Sequence, residues 1–203
     1  MKKFLIIFTS IVLILGYVHS GFSSRPEPID LVKETIDRIL KLLEDETLSL
    51  PEMRAEQKKQ ILSVVGARFD FREMSKRSMA RHWKMRTPED QDYFIELFSK
   101  LLLDRYICRV ESNSESEILY KRQIIKNNKA VVYTVALKNN TEIPLAYKLL
   151  KSENGWMVYD VVIEGVSLIR NYRTQFTSVI KREKYAGLIK KMEEKVAKGE
   201  DAN

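Results

Sequence analysis

Between Glu117 and Ile163 the apolar residues recur with a period near two, and only two or three residues link one run to the next. Side chains alternate across a strand, and so short a link can only return the chain as the antiparallel neighbour of the strand it leaves. The expected strands cover 117–126, 129–138, 142–151 and 155–163, joined at Asn127-Asn128, Asn139-Asn140 and Glu153-Asn154-Gly155. This is a four-stranded antiparallel meander. In its third strand Ile143, Leu145, Tyr147 and Leu149 alternate with Pro144, Ala146, Lys148 and Leu150, so one face is apolar and the other mixed.

On either side of the meander the period is helical. Ile29, Val32, Ile36, Ile39, Leu40 and Leu43 mark one face of a first helix. Pro51 begins a second, which Gly66 ends, and a third is expected from about Asp70 to Trp83. Thr87-Pro88-Glu89-Asp90 combines a hydroxyl cap, a proline at the first helical position and two acids facing the positive end of the helix dipole. The fourth helix therefore starts there, with a wide apolar stripe from Tyr93 and Phe94 to Tyr106 and Ile107. After the strand Trp156–Ile163, Gly165 supplies a turn, and Leu168, Ile169, Tyr172, Phe176, Val179 and Ile180 return at helical spacing. Helices, then a sheet, then helices read as an α+β fold.

The first residues have the layout of a secretory signal: Lys2 and Lys3, the apolar run Phe4–Leu15, then a small, mixed tail to Ser20. The twelve-residue run covers only about 18 Å as a helix, short of the roughly 30 Å needed to span a bilayer. Cleavage after Ser20 is expected, leaving a single domain over 21–203. It removes two lysines and no acid, which lowers the formal charge from +7 to +5. Cys108 is the only cysteine, so no intrachain disulfide can staple the fold.

Little in the sequence resembles catalytic machinery. The spacings of zinc, EF-hand, phosphate-loop and dinucleotide sites do not occur. His82, the one histidine after Ser20, sits among Arg81, Trp83 and Lys84 and reads as a surface residue, and Cys108 reads as a small apolar side chain. Arg72, Lys76, Arg77, Arg81, Lys84 and Arg86 crowd one helix and the loop after it. Export argues against nucleic acid as their partner, leaving a solvated face or a docking surface for an acidic protein or anionic head groups. Asp160 is the one acid within Trp156–Ile163. In a dry cavity it could serve as a base with a raised pKa, and at the sheet edge it would instead bond to backbone donors or a nearby cation.

Four separated segments occur in the order found in one family: FDFREMSKR at 69–77, RTPEDQDYF at 86–94, IPLAYKL at 143–149 and GWMVYDVVIEGVSLIRNYR at 155–173. Through them the chain resembles the MlaC family of periplasmic phospholipid shuttles, also called toluene-tolerance proteins, from about residue 30 to 195. The resemblance implies a curved sheet of nuclear transport factor 2-like type that encloses, with the helices, an apolar cavity for acyl chains. It implies no catalysis and no cofactor beyond phospholipid cargo. The implied partners are an MCE-domain component of an inner-membrane ABC transporter and an outer-membrane lipoprotein complex, met by a monomer in the periplasm. The residues assigned to the cavity are Phe98, Leu101, Leu102 and Tyr106 on the fourth helix. Val131, Tyr133, Leu145, Tyr147, Val158 and Val162 are assigned from the sheet, and Leu168, Tyr172 and Phe176 from the last helices. Two acyl chains require a volume at or above the top of the roughly 300–1,000 Å³ usual for small-ligand sites. Two other readings stay open: a small isomerase-like enzyme with Asp160 as base, and an adaptor protein with a filled core.

Overall fold

The computed structural model describes residues 26–111, 117–153 and 155–200. The expected signal segment, 1–20, and the side chain of Cys108 lie outside the described residues. Helix α1 spans Pro28–Glu44, α2 Arg54–Gly66, α3 Phe71–Met79, α4 Pro88–Glu111 and α5 Leu168–Glu200. Strands β1 to β5 span Glu117–Lys126, Lys129–Lys138, Thr141–Ser152, Gly155–Ile163 and Val166–Ser167. Each strand pairs antiparallel with the next in one open sheet, so the fold is α+β with five strands rather than four. The additional strand, β5, is two residues long and follows a turn in which Glu164 and Gly165 both have positive φ, at 49° and 81°. Two residues leave no periodicity to read, so β5 has no signature in the sequence.

Turn chemistry sets the register. Asn139 and Asn140 take φ values of 48° and 60°, the left-handed pair of a type I′ hairpin, and Lys138 consequently pairs with Thr141. From that pairing Val132 lies opposite Tyr147, Thr134 opposite Leu145 and Ala136 opposite Ile143, all on the face that meets α1. Val131, Tyr133 and Val135 point the other way, beside Lys148, Ala146 and Pro144.

Strand β4 changes phase in its middle. Leu149 pairs with Val158 but Lys148 pairs with Asp160, so Tyr159 is an extra residue in a β-bulge. Val158 before the bulge and Val161 and Ile163 after it share the inner face, while Asp160 and Val162 turn outward.

The helices follow their start and stop signals, with two corrections, the first being that Pro51 opens a 3₁₀ turn over Pro51–Met53 and α2 itself begins at Arg54. The Thr87 hydroxyl accepts the Asp90 N–H at 3.2 Å, and α4 begins at Pro88 as expected. Asp70 likewise caps α3 by accepting the Glu73 N–H at 2.9 Å. That third helix ends at Met79, before Trp83, because Ala80 takes φ 49° and the chain continues as a 3₁₀ turn over Ala80–Met85. α5 is broken at Lys184, where φ is 63°, and Leu188, Met192 and Val196 beyond the break belong to the same core as α4.

Two apolar cores result. One is made by α3, α4 and α5, where Phe94, Phe98, Tyr172 and Phe176 interlock edge to face: Phe98 lies 5.1 Å from Tyr172 and 5.4 Å from Phe176, ring centre to ring centre. The other joins Leu31 and Val32 of α1 to the inner sheet face at Val132, Leu149, Trp156, Val158 and Val161. Phe69 and Tyr106 pack against both. Phe69 also bridges to Val158: Val158 N–H donates to the Arg68 carbonyl and Asp70 N–H to the Val158 carbonyl, each at 2.9 Å.

Asp160 ties the sheet to the last helix. Its carboxylate accepts from the Ser167 hydroxyl at 2.7 Å and from the Ile169 N–H at 3.2 Å, and it pairs with Lys148 Nζ at 3.0 Å. Replacing Asp160 with Ala removes an N-terminal helix cap and strands a partly buried lysine. We expect a loss of about 2–4 kcal/mol in urea unfolding. Adding Lys148→Met should recover part of it, and a double variant no more stable than the single one would contradict the clamp.

Candidate functional site

The inner sheet face and the helices above it do not close completely. A pocket of about 400 Å³ remains between α1, α2, the α2–α3 junction, α4 and the sheet. Its walls are Val32, Ile36, Ile39, Leu40 and Leu43 from α1, and Ile61 and Val65 from α2. Phe69, Phe71 and Met74 follow, then Leu102, Leu103 and Tyr106 from α4 and Ile143, Leu145, Tyr147, Val158, Val161 and Ile163 from the sheet, with Leu168 opening α5. Among the described residues, Arg68 and Glu164 are the only charged side chains on this lining. Thr35 adds no unmet polarity, since its hydroxyl donates to the Leu31 carbonyl at 2.7 Å.

Six of the residues assigned from the sequence come together here: Leu102, Tyr106, Leu145, Tyr147, Val158 and Leu168. Phe98, Leu101, Tyr172 and Phe176 are placed elsewhere, buried in the helical core. Val131, Tyr133 and Val162 lie on the opposite sheet face, around a shallower depression shared with Ala146, Ser167 and Arg170. The two-residue Asn139-Asn140 turn already dictates that Leu145 faces Thr134 and not Tyr133, so the parity of β2 was available from its length. The contribution of α1 was also visible as a stripe, but a stripe does not distinguish packing against a neighbour from lining a void. The pocket is smaller than two acyl chains suggested, because the aromatic rings of α4 that would have widened it fill the core with α5.

The chemistry of the pocket is that of an apolar container. Burial pushes the Tyr147 phenol up to about 12, with the Thr134 hydroxyl opposing the shift, so the ring stays neutral at physiological pH. Burial, and secondarily the Asp37 carboxylate, raises the Tyr120 phenol as well. Asp160 is not on the lining: the bulge turns it outward, and its oxygens are taken by Lys148, Ser167 and Ile169. His82 is half-buried rather than on the surface, and burial followed by Arg81 and Arg86 holds its pKa below the usual value. Most of the basic run is engaged within the protein. Arg72 pairs with Asp92, Lys76 and Arg77 with Glu73, and Arg77 and Arg86 lie over the rings of Tyr159 and Tyr185 at 4.1 and 4.5 Å. Arg81 and Lys84 remain exposed. Among the described residues no group of His, Cys, Asp and Glu could hold a metal, and no helix is long and apolar enough to cross a membrane.

A model of the family described as MlaC protein matches residues 33–194, which include every residue of the pocket lining except Val32. The chain belongs to the MlaC family. Among solved structures it is similar to a phospholipid-binding protein from Ralstonia solanacearum, determined in complex with a phospholipid. The two are 28% identical with a TM-score of 0.76, over 86% of this chain and 99% of the other. No curated protein matches the sequence.

The tyrosine pKa shift gives a pH dependence with a definite sign. A phenol whose folded pKa of about 12 exceeds the ordinary 10 favours the folded state below pH 10, and that contribution is lost as pH rises from 10 through 12. The Tyr147→Phe protein should lose about 1–2 kcal/mol less stability than the parent between pH 9 and about 12 in urea unfolding. Equal losses would show that the phenol ionises freely in the folded state.

Proposed function

We propose that this protein is a non-catalytic carrier of glycerophospholipids that holds acyl chains in the α1–sheet pocket and moves them between the inner and outer membranes. The observation that carries this reading is a pocket lined almost wholly by aliphatic and aromatic side chains, with two charges on its lining, in a member of the MlaC family. The phospholipid bound by the similar Ralstonia protein supports the choice of ligand. Lys2, Lys3 and the apolar run Phe4–Leu15 support export to the periplasm as a mature domain over 21–203. The family also supports an MCE-domain component of an inner-membrane ABC transporter and an outer-membrane lipoprotein complex as exchange partners.

The energetics favour exchange over capture. Moving two chains of about 16 carbons out of water would yield roughly 25 kcal/mol at about 0.8 kcal/mol per CH₂, more than any reversible carrier could release. From a bilayer, however, the chains are already dry. The pocket then needs only to match the membrane interior closely, and a neutral Tyr147 and an internally bonded Thr35 add little polar cost to such a lining.

Mass spectrometry of an organic extract of the natively purified protein tests the reading, with diacyl phospholipid expected in stoichiometric amount. Leu145→Glu places a carboxylate on the lining and should reduce retained lipid at least about tenfold, since an unpaired charge in an apolar site costs several kcal/mol. Lys121, exposed on β1, supplies the control as Lys121→Glu; Lys148 is unsuitable because it pairs with Asp160. A folded Leu145→Glu protein that keeps its lipid would refute the pocket assignment.

A further inference from the structure

Of the two charges on the pocket lining, Arg68 is held in the more unusual state. Its backbone is fixed at the end of α2, where its N–H donates to the Val65 carbonyl at 3.0 Å and its own carbonyl accepts the Val158 N–H at 2.9 Å. The side chain is half-buried and lines the pocket, its Nε is shut off from solvent without a partner, and among the described residues no hydrogen bond or ion pair engages the guanidinium. Arg86 also has a buried Nε without a partner, but that guanidinium lies over the Tyr185 ring and away from the pocket. A guanidinium remains charged throughout the accessible pH range and presents a planar fork of donors that matches an oxyanion with two acceptor oxygens. Set beside aliphatic walls, such a fork calls for a ligand that carries an anion at one end and hydrocarbon at the other.

Glu164 gives the pocket a direction. It follows β4, six residues beyond the Val158 that clamps Arg68, which places the two backbones roughly 15–20 Å apart along the strand. The lining therefore has a half-buried cation at one end and an exposed carboxylate at the other. An anionic head is attracted to the first and repelled from the second.

We infer that Arg68 is the anion-binding residue of the pocket and receives the phosphodiester of a bound phospholipid, so that the head group sits at the α2–β4 junction. The assignment rests on the lipid-carrier reading and goes beyond it, because an apolar container alone would take any diacyl lipid. With Arg68, phosphate distinguishes the cargo from a neutral lipid with the same chains.

Competition within one vesicle tests it. Delipidated protein is incubated with vesicles containing phosphatidylglycerol and the diacylglycerol of identical chains in equal amounts, and the loaded lipid is counted by mass spectrometry. The parent should favour the phospholipid by about tenfold, the gain expected of a charge-assisted, bidentate contact. Arg68→Gln should bring the preference below about threefold, with diacylglycerol taking up the share that the phospholipid gives up, which also shows that the variant is folded, and Arg68→Lys should restore part of the preference. An Arg68→Gln protein with the parental preference, or one that loses both lipids equally, would overturn the assignment and leave the carrier reading standing. A parent that loads neither lipid would overturn both. Displacement of loaded phospholipid from the parent by millimolar inorganic phosphate, absent in Arg68→Gln, would make this a site for free phosphate and overturn the head-group assignment.

Discussion

One extra residue in β4 determines what the pocket of this protein is. Without the bulge at Tyr159, Val158, Asp160 and Val162 would share a face, since a strand repeats every two residues. A carboxylate would then stand inside an apolar chamber, the arrangement an isomerase-like enzyme would need. The bulge resets the phase, so Val161 and Ile163 join Val158 on the lining and Asp160 emerges on the far side beside Lys148. There it accepts the Ile169 N–H and fixes where α5 begins. A single backbone irregularity thus keeps the lining apolar and turns the one acid of the strand into a structural clamp.

The apolar residues divide into a solid half and a hollow half. Between α3, α4 and α5 the aromatic rings are large and complementary enough to interlock, and that part of the molecule is a rigid support. Between α1 and the sheet the contacts that close the core come mainly from the first turns of α1, at Leu31 and Val32, and farther along Ile39, Leu40 and Leu43 line the space instead of filling it. Gln57 of α2 donates to the Leu42 carbonyl at 2.9 Å and holds this end of α1 in place over the pocket. A container needs both properties: walls that do not collapse, and a side where the packing is incomplete.

Much of the architecture was legible in local sequence. The cap at Thr87-Pro88, the asparagine turns and the period-two runs located α4 and the first four strands to within a residue or two, because each depends on chemistry within a few residues. The pocket was legible only in part. Leu145 and Tyr147 follow from alternation in β3, whereas Val131 and Tyr133 face outward, because the Asn139-Asn140 turn sets Val132 and Thr134 opposite Tyr147 and Leu145. Phe98, Tyr172 and Phe176 carried the right hydrophobicity for a lining but found one another first. Arg68 left no signal in the sequence, where it is one of many basic residues; its distinction is a buried Nε on the pocket lining that has no partner among the described residues.

Local sequence was enough for the α+β order, the meander, its turns and the family, since periodicity, capping and turn preference are local properties that survive without knowledge of the whole. Which apolar surfaces meet and which stay apart, on which side of the sheet Asp160 emerges, and which guanidinium comes to line the pocket were settled by the packing of the whole chain. Those outcomes depend on register, on one bulge and on distances between residues far apart in the chain. The physical reason is that hydrophobicity carries no direction: a run of apolar residues specifies that it will be buried, and the three-dimensional packing alone specifies against what.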